Sequence, residues 1–417
     1  MWWAVVVSFI AQVAAIGILH QHRIRVTDNH FGFGWEMGCI GRALAEGRGF
    51  SDPFCAGTGA TAWEPPLYPY LIGGVFKLFG IYSVASACVL LTINSLFASL
   101  TCIPTYLVAR NSISENVAHW SAWTWALLPY TWYWSIHWVW DTTITPFILS
   151  LIFLISLELQ EWRGPKGWIL FGGLWGLGAL LNPSMLSFLP FCGLWVCYRR
   201  YKSNLPSFGG VALASVVFFL CLSPWLVRNY HALGSFVFIR DDFGQQLRLG
   251  NGPSADGVQM AYLLPKLNAV ELRRFQQMGE LVYSAQHKRE AFEFIRDNPG
   301  RFAVISLKRF IYYWAGVPKR GDSRFAALLR SLLFLASSVL ALGGLLRAWW
   351  QEKPGTGLFA LLVLSYPTVY YFVFAHARYR HPIEPELLIL AVFLVCETHF
   401  FSSPQHFLGE YPEHSAV

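Results

Sequence analysis

MWWAVVVSFIAQVAAIGIL (residues 1–19) is the first of a series of apolar runs, and this series decides the fold class. A membrane-spanning helix needs about 20 mainly apolar residues, so this run is long enough. It has neither a charged segment before the apolar core nor a convincing small-x-small cleavage site. We therefore expect a retained transmembrane helix and not a signal peptide that is removed.

The composition agrees with a membrane protein. Of 417 residues, 55% are hydrophobic and only 13% are charged, whereas soluble proteins carry about 25% charged residues. The net charge is +7, but Lys and Arg collect in the loops between apolar runs. There they are typical of orientation signals and contacts with membrane lipids. No basic stripe is interleaved with polar residues, so nucleic acid is not expected as a partner.

The apolar runs predict an all-α polytopic membrane protein with about ten transmembrane helices, in a single domain over residues 1–417. The predicted spans lie near 2–20, 83–109, 116–134, 143–159, 167–182, 184–198, 209–227, 325–347, 357–374 and 383–400. With the N-terminus cytoplasmic, most cations between the spans fall inside, as the positive-inside rule requires. This threading leaves two polar regions, 21–66 and 228–320, on the extracytoplasmic face.

Both external regions are expected to carry short amphipathic helices. In the first, WEMGCIGRALAEG (35–47) has helical spacing and is stopped by Gly47 and Gly49. In the second, Asn268 with Glu271 predicts a capping box, followed by one helix that ends at Asn298-Pro299.

Eight cysteines are spread along the chain, six of them inside apolar runs. Cys39 and Cys55 are the pair expected to face an oxidising compartment together, which leaves a disulfide between them open. No CxxC or His-spaced cluster indicates zinc.

Ionisable groups gather on the external side. The acids are Asp28, Glu36 and Glu64, and the cations near predicted span ends are Arg228, Arg240, Arg378 and Arg380. Such groups are costly at the edge of a membrane unless they are paired or wet, so they are candidates for function. An arginine fork suits phosphate oxygens, and a carboxylate can act as general base towards a hydroxyl. Together they indicate group transfer from a polyprenyl-phosphate donor.

The chain also resembles a family, the bacterial GT-C glycosyltransferases, notably the protein O-mannosyltransferase and lipid A aminoarabinose transferase branches. TDNHF (27–31) is similar to the acidic signature that follows their first span. Four later segments are similar to segments of these proteins in the same order, namely ALAEGRGF (43–50), AWEPPLYPYLIGGVFKLFG (62–80), SPWLVRNYHALGSFVFIRDDFGQQLRLGN (223–251) and ARYRHPIEP (377–385).

The resemblance implies an inverting transferase that uses a polyprenyl-phosphate-linked sugar, with its active site in the first external loop. Asp28 matches the catalytic aspartate of the family. However, Asn29 replaces the family's Glu, and Glu64 stands where the aminoarabinose branch carries a Lys. Measured back from ALAEG, the family's acids fall nearer 33–36, so Glu36 is a second candidate for the base. The donor sugar stays open, as does the acceptor, which is a lipid, a glycan or a protein.

The predicted site combines the two catalytic candidates, Asp28 and Glu36, with a set of substrate-binding residues. These are His30, Glu64, Tyr68, Arg228, Arg378, Tyr379 and Arg380. Alternative interpretations stay open for several of them. Asp28 can be a helix cap, Glu36 can serve only the helix dipole, and the arginines can be snorkelling side chains.

Three further patterns are interpreted without a catalytic role. Asp28 with His20, His22 and His30 offers metal ligands, but their spacing matches no standard site, so no cofactor is certain and a divalent metal is left open. Asp141 is interpreted as a helix cap. The aromatic stretch WTWALLPYTWYWSIHWVW (123–140) is interpreted as an interfacial belt.

Two other classes of protein compete with the transferase. The first is a multi-pass transporter or lipid flippase, which would place ionisable residues near the bilayer midplane. The second is a non-catalytic membrane subunit that binds a partner through its external loops. The favoured hypothesis is a multi-pass protein of the bacterial inner membrane with its active site on the extracytoplasmic face.

Overall fold

The structure, a computed structural model, describes residues 1–24, 33–318, 321 and 323–400. Over these ranges the backbone is helical and contains no β-strand, apart from an isolated antiparallel bridge between Ser51 and Ala60. The α-helices are, in chain order, α1 (Trp2–Ile18), α2 (Trp35–Ala45), α3 (Leu67–Phe79), α4 (Val84–Leu100), α5 (Cys102–Ser112), α6 (Glu115–Leu127), α7 (Pro129–His137), α8 (Ile144–Leu159), α9 (Lys166–Leu181), α10 (Leu189–Lys202), α11 (Phe208–Leu233), α12 (Phe243–Gly250), α13 (Ala269–Met278), α14 (Glu280–Asp297), α15 (Pro299–Ala315), α16 (Arg324–Trp350), α17 (Thr356–Ser365), α18 (Thr368–Phe372) and α19 (Glu384–Phe400). Short 3₁₀ turns lie at Asp141–Thr143, Pro183–Ser187, Ala261–Leu263, Ala377–Tyr379 and His381–Ile383. The all-α prediction is confirmed for the described part of the chain.

Helices lie at each of the ten places where the sequence predicts a span. Four helical stretches are long and apolar enough to cross a membrane, namely Val84–Ser112, Asp141–Leu159, Phe208–Leu233 and Arg324–Trp350. Shorter apolar helices lie at Trp2–Ile18, Leu67–Phe79, Lys166–Leu181 and Thr356–Phe372. These apolar helices support a polytopic membrane protein, while the count of ten spans stays a prediction.

Small residues let the bundle helices approach closely. A Cβ added to Gly172 of α9 would lie 2.3 Å from the Ala214 carbonyl oxygen of α11. One added to Gly344 of α16 would lie 1.9 Å from the Leu390 carbonyl oxygen of α19. Such close backbone contact at small residues is typical of helices packed in a membrane. Beyond these contacts, α11 and α16 expose large apolar side chains, as a lipid-facing surface does, among them Phe219, Leu220, Leu332 and Leu333.

The aromatic stretch at 123–140 is not a simple interfacial belt, and that interpretation is wrong for three of its tryptophans. Trp125, Trp134 and Trp140 are buried, and the Trp125 indole N–H donates to the Ala98 carbonyl at 2.8 Å. The helix is interrupted between α6 and α7, since α7 begins at Pro129, and α7 then packs against α4. These rings therefore fill the bundle.

The second external region differs from its prediction at two points. Asn268 caps a helix as expected, since its side chain accepts from the Val270 N–H. The capping box is wrong, because the Asn268 N–H donates to Leu264 and the Glu271 carboxylate accepts from Tyr283. The predicted single helix is two helices, α13 and α14, that meet at Gly279 with φ 74°. That left-handed backbone suits glycine, which has no Cβ to clash.

An aromatic cluster explains the break and joins the two external regions. Phe275 of α13 is buried between Phe54 and Trp63 of the first loop and Tyr283 of α14, with ring centroids 4.9–5.4 Å from its own. Beside the cluster, Glu280 accepts hydrogen bonds from the Thr61 hydroxyl and the Ala62 N–H. The first loop is thus fixed onto the second external region.

The first external loop is anchored covalently as well. Its helix α2 lies where the sequence predicts it, and a disulfide joins Cys39 on this helix to Cys55. Gly41 of α2 and Gly73 of α3 let the two helices touch, since an added Cβ at Gly41 would lie 2.5 Å from an Ile72 side-chain carbon. The position of α2 is therefore fixed by a covalent bond and by close packing.

Replacing Cys39 or Cys55 by Ser should destabilise the protein by roughly 2–4 kcal/mol, because the short loop that the bond closes becomes free in the unfolded chain. The melting temperature of the detergent-purified protein measures this loss. Cys88→Ser, at a free cysteine of α4, is the matched control and should leave the melting temperature near that of the wild type. If Cys39→Ser melts with the wild type, the bond does not hold α2.

Candidate active site

Three buried carboxylates come together from three parts of the chain. Glu36 lies in the first turn of α2, Glu64 precedes Pro65-Pro66 at the start of α3, and Asp141 opens the 3₁₀ turn before α8. Their exposed fractions are 7%, 5% and 4%. Buried carboxylates are costly unless cations or hydrogen bonds compensate them, so their surroundings define the site.

Two arginines from the second half of the chain act on these acids. The guanidinium of Arg240 lies 3.9 Å from the Glu64 carboxylate and also pairs with Asp242. Arg378, in the turn Ala377–Tyr379, stands 4.5 Å from the centroid of the Trp140 ring. Although burial acts to lower it, the pKa of Arg378 is raised by Tyr379 and Asp141.

Arg378 keeps one donor free. Its Nη1 is buried and has no hydrogen-bond partner among the described residues. A buried N–H donor without an acceptor is costly, so this geometry suits an anionic group that enters the site from outside. The Trp140 face supports the cation from one side through a cation–π contact.

Burial shifts the protonation of the acids outside the spans. It raises the pKa of Glu36, and the charges of Lys266, Arg378 and Arg240 oppose this rise. It also raises the pKa of Glu64, against the opposing charge of Arg240. A carboxyl group with a raised pKa takes up a proton more readily than an ordinary one, which suits a general base.

Lys266 adds a third cation beside Glu36. It lies in the loop between the turn Ala261–Leu263 and α13, and its ammonium nitrogen is 3.2 Å from the Cys39 sulfur. Cys39 follows Glu36 by three residues on α2, so both lie on one side of the helix. The disulfide, the lysine and the acid therefore share one end of the site.

The structure brings together four of the predicted site residues and separates others. Glu36, Glu64, Arg378 and Tyr379 share the acid–arginine cluster. Asp28 and His30 lie outside the described residues. Tyr68 is buried beside the cluster, where its hydroxyl donates to the Asn94 side-chain oxygen at 2.8 Å.

Arg228 and Arg380 lie apart from Arg378 and have other partners. Both terminal nitrogens of Arg228 donate to backbone carbonyls of the first loop, those of Thr61 and Phe50. The guanidinium of Arg380 is held by the Ser337 and Ser338 hydroxyls at 2.7 Å and by Glu384 at 2.8 Å.

A 3₁₀ backbone explains the separation of Arg378 from Arg380. It has about three residues per turn, so two residues that are two positions apart point to different sides. The expectation that all three arginines hold one phosphate is corrected here, because only Arg378 stands among the acids.

Sequence reasoning missed Asp141 as a member of the site. The cap interpretation is wrong, since its carboxylate accepts from the Asn182 amide at 2.8 Å and caps neither the turn that it opens nor α8. Arg240 stood out only as an external cation, and Lys266 lies in a loop without periodicity. The Arg240-Asp241-Asp242 run inside the family-like segment was the signal available for Arg240.

The metal site predicted from Asp28 with His20, His22 and His30 is not tested. His20 and His22 lie near each other, with ring centroids 5.9 Å apart, but Asp28 and His30 are outside the described residues. In the described part of the chain no group of three or more His, Cys, Asp or Glu side chains is placed to hold a metal ion.

Part of the sequence matches the model of a known protein family. Residues 63–227 match the family model described as dolichyl-phosphate-mannose-protein mannosyltransferase. No curated protein matches the sequence.

Solved structures match over almost the whole chain. The archaeal oligosaccharyltransferase AglB from Archaeoglobus fulgidus, in complex with an inhibitory peptide and a dolichol-phosphate, has a TM-score of 0.51 at 15% identity over 99% of this chain and 53% of its own. The oligosaccharyltransferase of the same organism in complex with Zn and sulfate has a TM-score of 0.50 at 16% identity over 95% and 50%. ArnT from Cupriavidus metallidurans bound to undecaprenyl phosphate has a TM-score of 0.41 at 12% identity over 94% and 78%.

The chain spans about half the length of the oligosaccharyltransferases that it matches. At these identities the likeness concerns the fold. The resemblance that the motifs indicate is confirmed to this extent: residues 63–227 match the mannosyltransferase family model, and the chain shares its fold with the AglB oligosaccharyltransferase.

Proposed function

We propose that this chain is an inverting glycosyltransferase that moves a sugar from a polyprenyl-phosphate donor to a hydroxyl group on the extracytoplasmic face of the membrane. The observation that carries the proposal is the meeting of buried acids with an arginine that keeps a free donor. Acid and cation side by side are what the transfer needs, since a proton leaves the acceptor while negative charge develops on the phosphate.

In the proposed reaction a carboxylate takes the proton of the acceptor hydroxyl. The hydroxyl oxygen attacks the anomeric carbon from the side opposite the phosphate, and the bond between that carbon and the phosphate oxygen breaks. The electron pair of the broken bond stays on the polyprenyl phosphate. Asp28 or Glu36 is the base, and Glu36 is the candidate within the described residues.

Arg378 is the cation proposed to meet the leaving phosphate. Its Nη1 is buried and unpaired, and the ring of Trp140 holds the guanidinium in place. Arg240 and Lys266 add positive charge near Glu36. Their summed field offsets the charge that the phosphate gains as the bond breaks.

The comparisons support the type of donor and acceptor. AglB was solved with an inhibitory peptide and a dolichol-phosphate, which is a polyprenyl lipid. The acceptor of this chain is a lipid, a glycan or a protein. The apolar helices support a multi-pass membrane protein, and the proposal places it in the bacterial inner membrane with the acid cluster on the extracytoplasmic face. No cofactor is certain for this reaction, and a divalent metal stays open.

Arg378→Gln should weaken the binding of polyprenyl phosphate and lower sugar transfer by about 10²–10³-fold, because one preorganised donor to the developing charge is lost. Binding is measured with polyprenyl phosphate alone in detergent. Transfer is measured in proteoliposomes with polyprenyl-phosphate sugars and a membrane extract as acceptor.

Arg289→Gln, on the exposed face of α14, is the matched control and should change neither quantity. Full binding and full transfer by Arg378→Gln would remove this arginine from the site. Movement of the lipid across the membrane without any glycosylated product would favour the flippase.

Glu36→Gln and Asp28→Asn, made singly and together, should identify the base. Loss of the base should cost about 10²–10⁴-fold in the rate of transfer, while binding of polyprenyl phosphate persists. If Glu36 is the base, the wild-type rate should fall as the pH drops through its pKa. Burial raises that pKa, so the fall should occur at a higher pH than for an ordinary glutamate.

Glu293→Gln, at an exposed position of α14, controls for the loss of one negative charge. Unchanged transfer in the double variant Asp28→Asn/Glu36→Gln would contradict the assignment of both acids.

A further inference from the structure

We propose that Asn182 is a positioning residue of the active site, which holds Asp141 as a charged carboxylate facing Arg378. The inference rests on the proposed function, because it concerns how the same site is kept ready for transfer. The evidence for the inference is a chain of hydrogen bonds between Asp141 and the interior of the bundle, in which each group donates to the next one towards Asp141.

The orientation of the Asn182 amide is fixed by a backbone group. Its Oδ1 accepts from the Ser184 N–H at 3.2 Å, and a backbone N–H can only donate. The Asn182 oxygen must therefore face Ser184, and its NH₂ group must face Asp141. That NH₂ group donates to the Asp141 Oδ2 at 2.8 Å, so this oxygen has to be an acceptor.

The hydrogen bonds beyond Asn182 run in the same direction, with each donor pointing towards Asp141. The Ser184 hydroxyl donates to the Asn182 Oδ1 at 2.5 Å, since an amide oxygen has no proton to give. Its own oxygen then accepts from the Tyr370 hydroxyl at 2.7 Å. The fully buried Tyr366 hydroxyl lies 3.3 Å from that of Tyr370 and completes the chain.

Every proton in this chain points towards Asp141. Hydrogen bonds that share one direction polarise one another and strengthen the last donor, and donors to a carboxylate favour its charged form. A protonated Asp141 would have to turn its O–H away from Asn182. The chain therefore opposes protonation of Asp141 on the oxygen that faces the bundle.

The break at Asn182-Pro183 makes this arrangement possible. Helix α9 ends at Leu181, and Asn182 has an extended backbone with φ −150° and ψ 96°. Pro183 follows at the first position of the next turn and has no N–H. The first free backbone donor is then that of Ser184, and the Asn182 side chain caps it.

Other groups also act on Asp141. Burial disfavours its charged form, and the charges of Arg378 and Arg240 oppose this effect together with the Asn182 hydrogen bond, while Glu64 is the nearby acid. The Tyr68 ring lies on the α3 side. The Thr145 hydroxyl is closer to the Asp141 main-chain oxygen, at 2.9 Å, than to its carboxylate, at 3.3 Å.

A charged Asp141 has a clear use beside Arg378. It supplies a fixed counter-charge to the guanidinium of Arg378. The Nη1 of Arg378 then stays in place to hydrogen-bond the phosphate of the sugar-carrying lipid. The stacked rings of Tyr370 and Tyr379, 4.3 Å apart, join the hydrogen-bonded chain to the turn that carries Arg378. Asn182 thus acts on the site through Asp141 and has no contact with substrate in this scheme.

Asn182→Asp tests the inference because it changes the donor and little else. Aspartate has the same size and caps the Ser184 N–H equally well, but when charged it cannot donate to Asp141. When protonated it can donate as the amide does. The rate of transfer by Asn182→Asp, divided by the wild-type rate, should therefore be below about one tenth at pH 8 and should rise several-fold towards pH 5.5.

Two further variants make the test decisive. Asn182→Ser keeps an oxygen for the cap but is too short to reach Asp141, so its rate should be low at every pH without recovery. Ser187→Ala removes a hydroxyl of the same turn that donates to the Ser184 carbonyl and should stay near the wild-type rate at every pH. Melting temperatures taken at each pH show that each protein is folded during its measurement.

A ratio for Asn182→Asp that does not change with pH would overturn the inference, whether the rate is high or low, because it would leave Asn182 with a structural role only. Wild-type transfer in the same experiment separates this result from failure of the proposed function. If the wild type transfers sugar and the ratio is flat, only the inference fails. If the wild type transfers nothing from any polyprenyl-phosphate sugar, the proposed function fails.

Discussion

The structure depends on one electrostatic constraint, the burial of Glu36, Glu64 and Asp141 beside Arg240 and Arg378. An isolated buried charge costs several kcal/mol, and only close opposite charges and hydrogen bonds offset this cost. The three acids belong to the first 141 residues and the two arginines to the last 178, counted from Arg240 to Val417. The three acids and Arg378 come together only when both parts of the chain are packed against each other, so the site forms with the tertiary fold.

The sequence predicts well those features that depend on neighbouring residues. Run length located the apolar helices, and helical spacing before the stop at Gly47 and Gly49 located α2. The placement of polar stretches between spans put Glu36, Glu64, Arg378 and Tyr379 on one side, and the structure joins these four. Periodicity and hydropathy are local properties, and helices lie where they predict them, although the single helix predicted between Asn268 and Asn298 is two helices.

Features that depend on packing between distant segments could not be predicted. The break at Gly279 follows from the burial of Phe275 among rings of the first loop. The different surroundings of Arg378 and Arg380 follow from the 3₁₀ turn that carries the first of them. Asp141 joins the site because α9 ends beside it and offers Asn182. None of these contacts leaves a periodic signal in the sequence.

The disulfide between Cys39 and Cys55 links the chemistry to the compartment. Glu36 stands one helical turn before Cys39, so the bond that anchors α2 also anchors the proposed base. Disulfides persist in oxidising compartments and are rare in the reducing cytoplasm. If the first loop lies on the extracytoplasmic face, as we propose, a newly made chain holds Glu36 on an untethered helix until that loop has crossed the membrane. Export would then be a step in the maturation of the proposed active site, and the proposed lipid-linked sugar would not be used before the protein is in place.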